Sequence, residues 1–192
     1  MNERNRTALL VVDVQDSFKV APRWQHRSSP DFERNITALI AHFRATEQPI
    51  FFILHHDGDP GFRVGDPEVR LMDFLDRRPD EPLLVKNTRN AFSSTDLKQR
   101  LDAAGVGRVV VTGIQTEQCC ETTARFANDV YGLEVDFVTE ATMTFPVTHG
   151  DDALTTDEIL RRTEFALRNR FARIVTTDEV IASTEGALAS AT

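Results

Sequence analysis

The sequence predicts a three-layer α/β fold, a parallel β-sheet with helices on both faces, and three observations carry that prediction. Six short runs rich in Val, Ile, Leu and Phe are apolar throughout rather than alternating with polar residues, the pattern of strands covered on both sides. Helix-like segments with one apolar stripe lie between them. Strand and helix alternate along the chain, which calls for right-handed crossovers joining parallel strands. The 192 residues, 41% hydrophobic and 27% charged, can bury a full core and still form one domain spanning 1–192.

The first run is TALLVVD at 7–13, followed by PIFFILHH at 49–56, PLLVK at 82–86, RVVVTG at 108–113, EVDFVT at 134–139 and ARIVTT at 172–177. After the first run, PDFERNITALIAHFRAT sets Phe32, Ile36, Leu39, Ile40 and Phe43 on one helical stripe. STDLKQRLDAAG reads as a helix that stops at Gly105, a residue suited to a C-terminal cap. A further helix is expected to start near Thr116, whose side chain can cap it, and TTDEILRRTEFALRN reads as another, long helix. The loops at 14–30 and 57–66, rich in Pro, Gly, Asp and Arg, are long enough to wall a pocket. The polar first six residues and the tail STEGALASAT look loosely held.

Composition narrows the function. Acidic residues outnumber basic ones by 30 to 22 without any Lys/Arg cluster, so a phosphate-tracking surface is missing and nucleic acid is not an expected partner. The N-terminus is polar for six residues and then apolar for only about six, which fits neither a signal peptide nor a membrane span. The two cysteines are adjacent and cannot staple distant segments, so a cytoplasmic setting with reduced thiols is expected.

Parallel sheets of this kind bind ligands beyond the carboxyl ends of their strands, and three chemically useful residues fall there. Asp13 ends the first run in VVDVQDSF, where partial withdrawal from water makes a carboxylate a usable proton acceptor; a loop aspartate capping a helix is the plainer reading. Lys86 ends the third run and alone reads as a surface lysine at a strand end. Cys119 falls in the first helical turn after the fourth run, where backbone N–H groups and a nearby ammonium would ease loss of its proton. Taken alone, a free cysteine is usually a small buried hydrophobe. Together the three supply a base, a cation and a nucleophile at one sheet edge, with strands one and four central neighbours in a doubly wound order.

The stretches ALLVVDVQDSF, VKNTRNAFSSTDL, VVVTGIQTEQCCETTARFA and FARIVTTDEVI resemble the isochorismatase-like hydrolase family, in particular its cysteine hydrolase branch. That resemblance implies a Rossmann-like fold with six parallel strands and an Asp-Lys-Cys triad at Asp13, Lys86 and Cys119. It implies attack of the thiol on a carbonyl-type carbon, cleavage of a C–N bond and a thioester intermediate, with no cofactor. It also implies a cis peptide at Ile114–Gln115 and an oxyanion hole built from the backbone N–H groups of Gln115 and Cys119. The family pattern T-x-x-C selects Cys119 as nucleophile and leaves Cys120 for packing, on a stripe with Ala124, Ala127 and Tyr131; a redox-active vicinal pair is the alternative.

Nicotinamidases of the family carry a D-x-H metal motif after the second strand. Here the stretch is LHHDGDPGF, and His55, His56, Asp57 and Asp59 offer ligand types without that order, so no metal is expected. Loop positions make Phe18, Trp24, Phe62, Arg63, Gln115 and Phe145 candidates for substrate binding, and Arg23, Arg63 and Arg89 candidates for holding a carboxylate. The resulting expectation is a hydrolase of a small amide, ureido or carbamoyl compound that works as a homo-oligomer. Vinyl-ether hydrolysis without the thiol and a non-catalytic binding or redox-sensing module are the alternatives.

Overall fold

The computed structural model describes residues 5–20 and 22–189. The strands are β1 (Arg6–Val12), β2 (Ile50–His55), β3 (Leu83–Lys86), β4 (Val106–Ile114), β5 (Glu134–Met143), the hairpin β6 (Val147–His149) and β7 (Asp152–Leu154), and β8 (Arg173–Ile174). The helices are α1 (Phe32–Ala45), α2 (Leu97–Ala103), α3 (Glu121–Asp129), α4 (Thr156–Leu167) and α5 (Thr177–Ala189). Six strands form one sheet in the order β3-β2-β1-β4-β5-β8, every neighbouring pair parallel. The order turns back at β1 and β4, so the crevice between their carboxyl ends is where such a sheet receives ligands.

Both faces of the sheet are covered, which is why the apolar runs do not alternate. Ala8, Leu10 and Val12 of β1 pack with Leu97 and Leu101 of α2, Ala124 and Ala127 of α3, and Leu167 of α4. Leu9 and Val11 face the other way, onto Phe32, Ile36, Leu39 and Phe43 of α1 and Val180 of α5. Each buried Val, Leu, Ile or Phe side chain among these contributes about 1.5–3 kcal/mol relative to exposure, and each alanine methyl about 0.8 kcal/mol. Thr155 opens α4 with a capping box, its side chain taking the N–H of Glu158 while Glu158 returns to the N–H of Thr155.

Three expectations need correction. The sixth run yields only the two residues of β8, because α5 begins at Thr177. The tail is helical as far as Ala189; residues 1–4 and 190–192, the outer parts of the two segments read as loosely held, lie outside the described residues. Thr116 does not cap the turn it opens: its hydroxyl donates to Thr142 on β5 at 2.8 Å, a partner 26 residues away. The turn itself, Thr116–Cys120, is wider than an α-helical one, with the N–H of Cys120 reaching back five residues to the carbonyl of Gln115 at 3.1 Å.

Candidate active site

Asp13, Lys86 and Cys119 meet beyond the carboxyl ends of β1, β3 and β4. Lys86 ends β3 and is fully buried, as is Asp13, while Cys119 is 5% exposed. The Lys86 ammonium donates to Asp13 Oδ2 at 2.7 Å, to Cys119 Sγ at 3.4 Å and contacts His55 Nδ1 at 3.2 Å. One buried cation therefore touches a base, a thiol and an imidazole. Asp13 takes a left-handed backbone, φ 52°, held by its N–H to Ile53 O at 2.8 Å and by Gln15 N–H to its own carbonyl at 2.9 Å. Such a conformation costs on the order of 1–3 kcal/mol and turns the carboxylate out of the strand direction toward Lys86. Asp13 Oδ1 is buried with no hydrogen-bond acceptance from any described protein group.

The position of Cys119 in the first helical turn predicts an easily lost proton, and the structure reverses that expectation. Burial pushes the thiol up to about 12, the Asp13 carboxylate adds to the rise, and the Lys86 ammonium opposes it. The sulfur lies too deep for the turn's N–H groups to outweigh desolvation. Cys120 is fully buried among the α2–α4 layer and burial pushes its thiol well above the ordinary range, so it packs as a small hydrophobe. The peptide bond between Ile114 and Gln115 is cis.

Above the sulfur is a pocket of about 190 Å³ lined by Phe18, Arg23, His55, Asp57, Asp59, Phe62, Arg89, Gln115, Gln118 and Cys119. A larger depression of about 720 Å³, bordered by Arg44, Phe51 and Arg100, touches none of the three. It lies at the amino ends of the strands, away from the chemistry. Of the candidate substrate-binding residues, Phe18, Phe62 and Gln115 line the smaller pocket. Phe145 and Trp24 stand behind it: Phe145 stacks on Phe18 with centroids 6.0 Å apart, and Trp24 tilts against Phe145 at 6.3 Å. Arg63 turns away, its Nε donating to the carbonyl of Gly58 at 3.0 Å, because its own loop offers a closer acceptor than the pocket. Arg23 and Arg89 do reach the lining, Arg23 with its guanidinium 4.8 Å from the Phe145 ring centre.

Two contributors escape the sequence reading. Gln118 faces the pocket from the wide turn, a position that depends on the turn's geometry. Gln15 is buried and clamps the end of β2, taking the N–H of His55 at 2.7 Å and donating to its carbonyl at 2.9 Å. Its spacing two residues past Asp13 is the only local signal. The histidine-aspartate stretch does not gather as a metal cluster: among the described residues no three or more His, Cys, Asp or Glu side chains are grouped to hold an ion. Instead Asp57 Oδ2 is 3.0 Å from His55 Nε2, and Arg89 Nη1 is 2.6 Å from the same nitrogen.

The model of the isochorismatase domain matches residues 7–179. The chain belongs to the isochorismatase family. Among relatives, the chain is similar to Nicotinamidase 3 of Arabidopsis thaliana, 32% identical over 72% of this chain and 73% of the relative. The fold superimposes on an isochorismatase-family protein of Chromobacterium violaceum with a TM-score of 0.87, at 27% identity and 94% coverage of both chains. It superimposes on a cysteine hydrolase of Pseudomonas syringae with a TM-score of 0.86, at 25% identity, covering 96% of this chain and 95% of the other. The chain is thus an isochorismatase-family hydrolase domain, and no helix among its described residues is long and apolar enough to cross a membrane.

Proposed function

We propose that this isochorismatase-family protein is a cysteine amidohydrolase that cleaves the C–N bond of a small amide, ureido or carbamoyl compound. The observation that carries the reading is the single ammonium of Lys86, within hydrogen-bond reach of both Asp13 and Cys119 beneath a small pocket. The likeness to a nicotinamidase and to a cysteine hydrolase points the same way.

With the thiol neutral at rest, the nucleophile forms during attack rather than before it. As sulfur bonds to the carbonyl carbon, Asp13 takes the thiol proton and the carbonyl π pair moves onto oxygen. The N–H groups of Gln115 and Cys119 are assigned to that oxyanion. Collapse of the adduct breaks the C–N bond, and Asp13 returns the proton to the departing amine, leaving a thioester on Cys119. Water, deprotonated by Asp13, then attacks the thioester; the acid leaves and sulfur recovers its proton. Lys86 stabilises negative charge on sulfur and carboxylate throughout, which is worth more in this buried site than in water.

Intact-mass measurement during turnover of a panel of small amides and ureas tests the reading. The native protein and Cys120→Ala are expected to turn over and to carry an acyl adduct. Cys119→Ala is expected to do neither. Amide or urea turnover surviving in Cys119→Ala would show that the cleavage does not need this thiol and would overturn the reading, and an adduct lost only in Cys120→Ala would reassign the nucleophile.

A further inference from the structure

His55 and Lys86 are register partners at the ends of the adjacent parallel strands β2 and β3. Their side chains meet on the same side of the sheet, and His55 is only 3% exposed. An ammonium has three N–H bonds, and Lys86 has three acceptors within reach: Asp13 Oδ2 at 2.7 Å, His55 Nδ1 at 3.2 Å and Cys119 Sγ at 3.4 Å. With Lys86 fully buried, water cannot replace any of them.

The imidazole, however, is claimed by two cations. Arg89 Nη1 lies 2.6 Å from its other nitrogen, Nε2, and a neutral imidazole has only one nitrogen that accepts. Burial decides between them. The Arg89 side chain is 50% exposed and has water and Asp57 Oδ2, 3.3 Å away, as alternative partners. An unsatisfied N–H on a buried ammonium costs far more than one on a half-exposed guanidinium. Nδ1 therefore accepts from Lys86, the ring proton sits on Nε2, and Asp57 Oδ2 at 3.0 Å receives it. Asp57 is itself fixed by the N–H of Asp59 donating to its other oxygen at 2.8 Å.

We propose that His55 is a positioning residue for Lys86, accepting the third N–H of its ammonium through Nδ1, with Asp57 holding the ring in the tautomer that makes this possible. The proposal rests on the Asp13-Lys86-Cys119 reading and extends it by one layer: Asp57 orients His55, His55 fixes Lys86, and Lys86 serves the thiol and its base. The charged groups facing the imidazole are Lys86 from β3, Asp13 after β1, Asp57 after β2 and Arg89 from the loop before α2, with the Phe62 ring centre 6.2 Å away. Burial and then Lys86 hold the imidazole below its ordinary value, in keeping with a neutral ring at physiological pH.

Alkylation of the whole protein by iodoacetamide, followed by mass and mapped to Cys119, reports on the cation without needing the substrate. His55→Leu removes the acceptor and is expected to slow alkylation at pH 8 by about tenfold, the size of one lost charge-assisted hydrogen bond. His55→Gln, whose carbonyl oxygen can accept from Lys86, is expected to stay within about twofold of native, since the bond is kept. Below the ordinary histidine range the native rate is expected to fall more steeply than the His55→Gln rate, because protonating His55 sets a second cation against Lys86. That comparison decides the matter even where His55→Leu does not fold. Native-like rates in His55→Leu, equal slowing in both variants, or identical pH profiles for native and His55→Gln overturn the proposal. Lys86→Met separates the two layers: if it leaves alkylation unchanged, the triad reading fails, whereas slowing in Lys86→Met with none in His55→Leu refutes only the role of His55.

Discussion

At the scale of single residues the decisive quantity is the protonation of Cys119. A thiol that burial and Asp13 push up to about 12 is neutral at physiological pH, so the proposed mechanism requires each turnover to move its proton to Asp13. The sign follows directly: the anion gains population only as pH rises, and Lys86 pulls the value down by its charge and hydrogen bond. Alkylation of the ligand-free protein is therefore expected to be still climbing at pH 9, and Lys86→Met to displace the whole profile toward higher pH. A plateau reached below pH 7 would mean a resting thiolate and a different chemistry. The sequence marks Asp13 and Lys86 because each directly ends an apolar run, where a charge has few places to go but the strand end, and Cys119 because it falls in the turn that follows the fourth run. It does not mark Gln15, Gln118 or the true partner of Thr116. Those depend on contacts between strands, such as Thr116 with Thr142, that no local pattern encodes.

At the scale of elements the site depends on how β1, β4 and β5 part company at their ends. Gly113 pairs with Val12 at φ +125°, and a Cβ placed there would lie 1.9 Å from the Val12 carbonyl oxygen. On the other side the register jumps, Val111 opposing Phe137 but Gly113 opposing Thr142, so the β5 backbone bulges where the active-site turn needs room. Gly113→Ala is expected to destabilise the fold by roughly 3 kcal/mol or more, since the clash is with backbone and the φ is hostile to any side chain. Thermal melting measures it, and a variant melting within a degree or two of native would show that β1 and β4 separate more easily than their packing implies. The apolar runs reveal such strands because coverage on both faces removes the polar alternation. The hairpin of β6 and β7 leaves no comparable trace: Val147 and Leu154 are exposed, and nothing in VTHGDDAL distinguishes a surface hairpin from a loop.

At the scale of the molecule, acid stability tests whether a few paired carboxylates or the overall charge governs the fold. The net charge is −8, so protonating the first carboxylates relieves repulsion and, acting alone, would stabilise the protein as pH falls. Specific pairs act in the opposite direction. Burial alone would raise Glu81, but its hydrogen bonds from Arg44, at 2.7 and 2.9 Å, and from the Arg78 N–H, at 2.7 Å, hold it below the usual carboxylate range. Burial likewise favours a raised Asp57, and the Asp59 N–H, His55 and Arg89 together bring it down. The Thr155 backbone and hydroxyl lower Glu158 in the capping box of α4. Groups with lowered folded values contribute stability that is complete above their unfolded values and disappears as pH falls through the folded ones. Melting temperature is therefore expected to hold steady from pH 7 to about 5 and to drop below about 4, where these carboxylates begin to take protons. Arg44→Met, which strips Glu81 of its main partner, is expected to lower the melting temperature at pH 7 and to shrink the fall between pH 7 and pH 3.5. A melting temperature that rises on acidification, or an acid limb unaltered by Arg44→Met, would hand the control of acid stability to net charge or to other pairs.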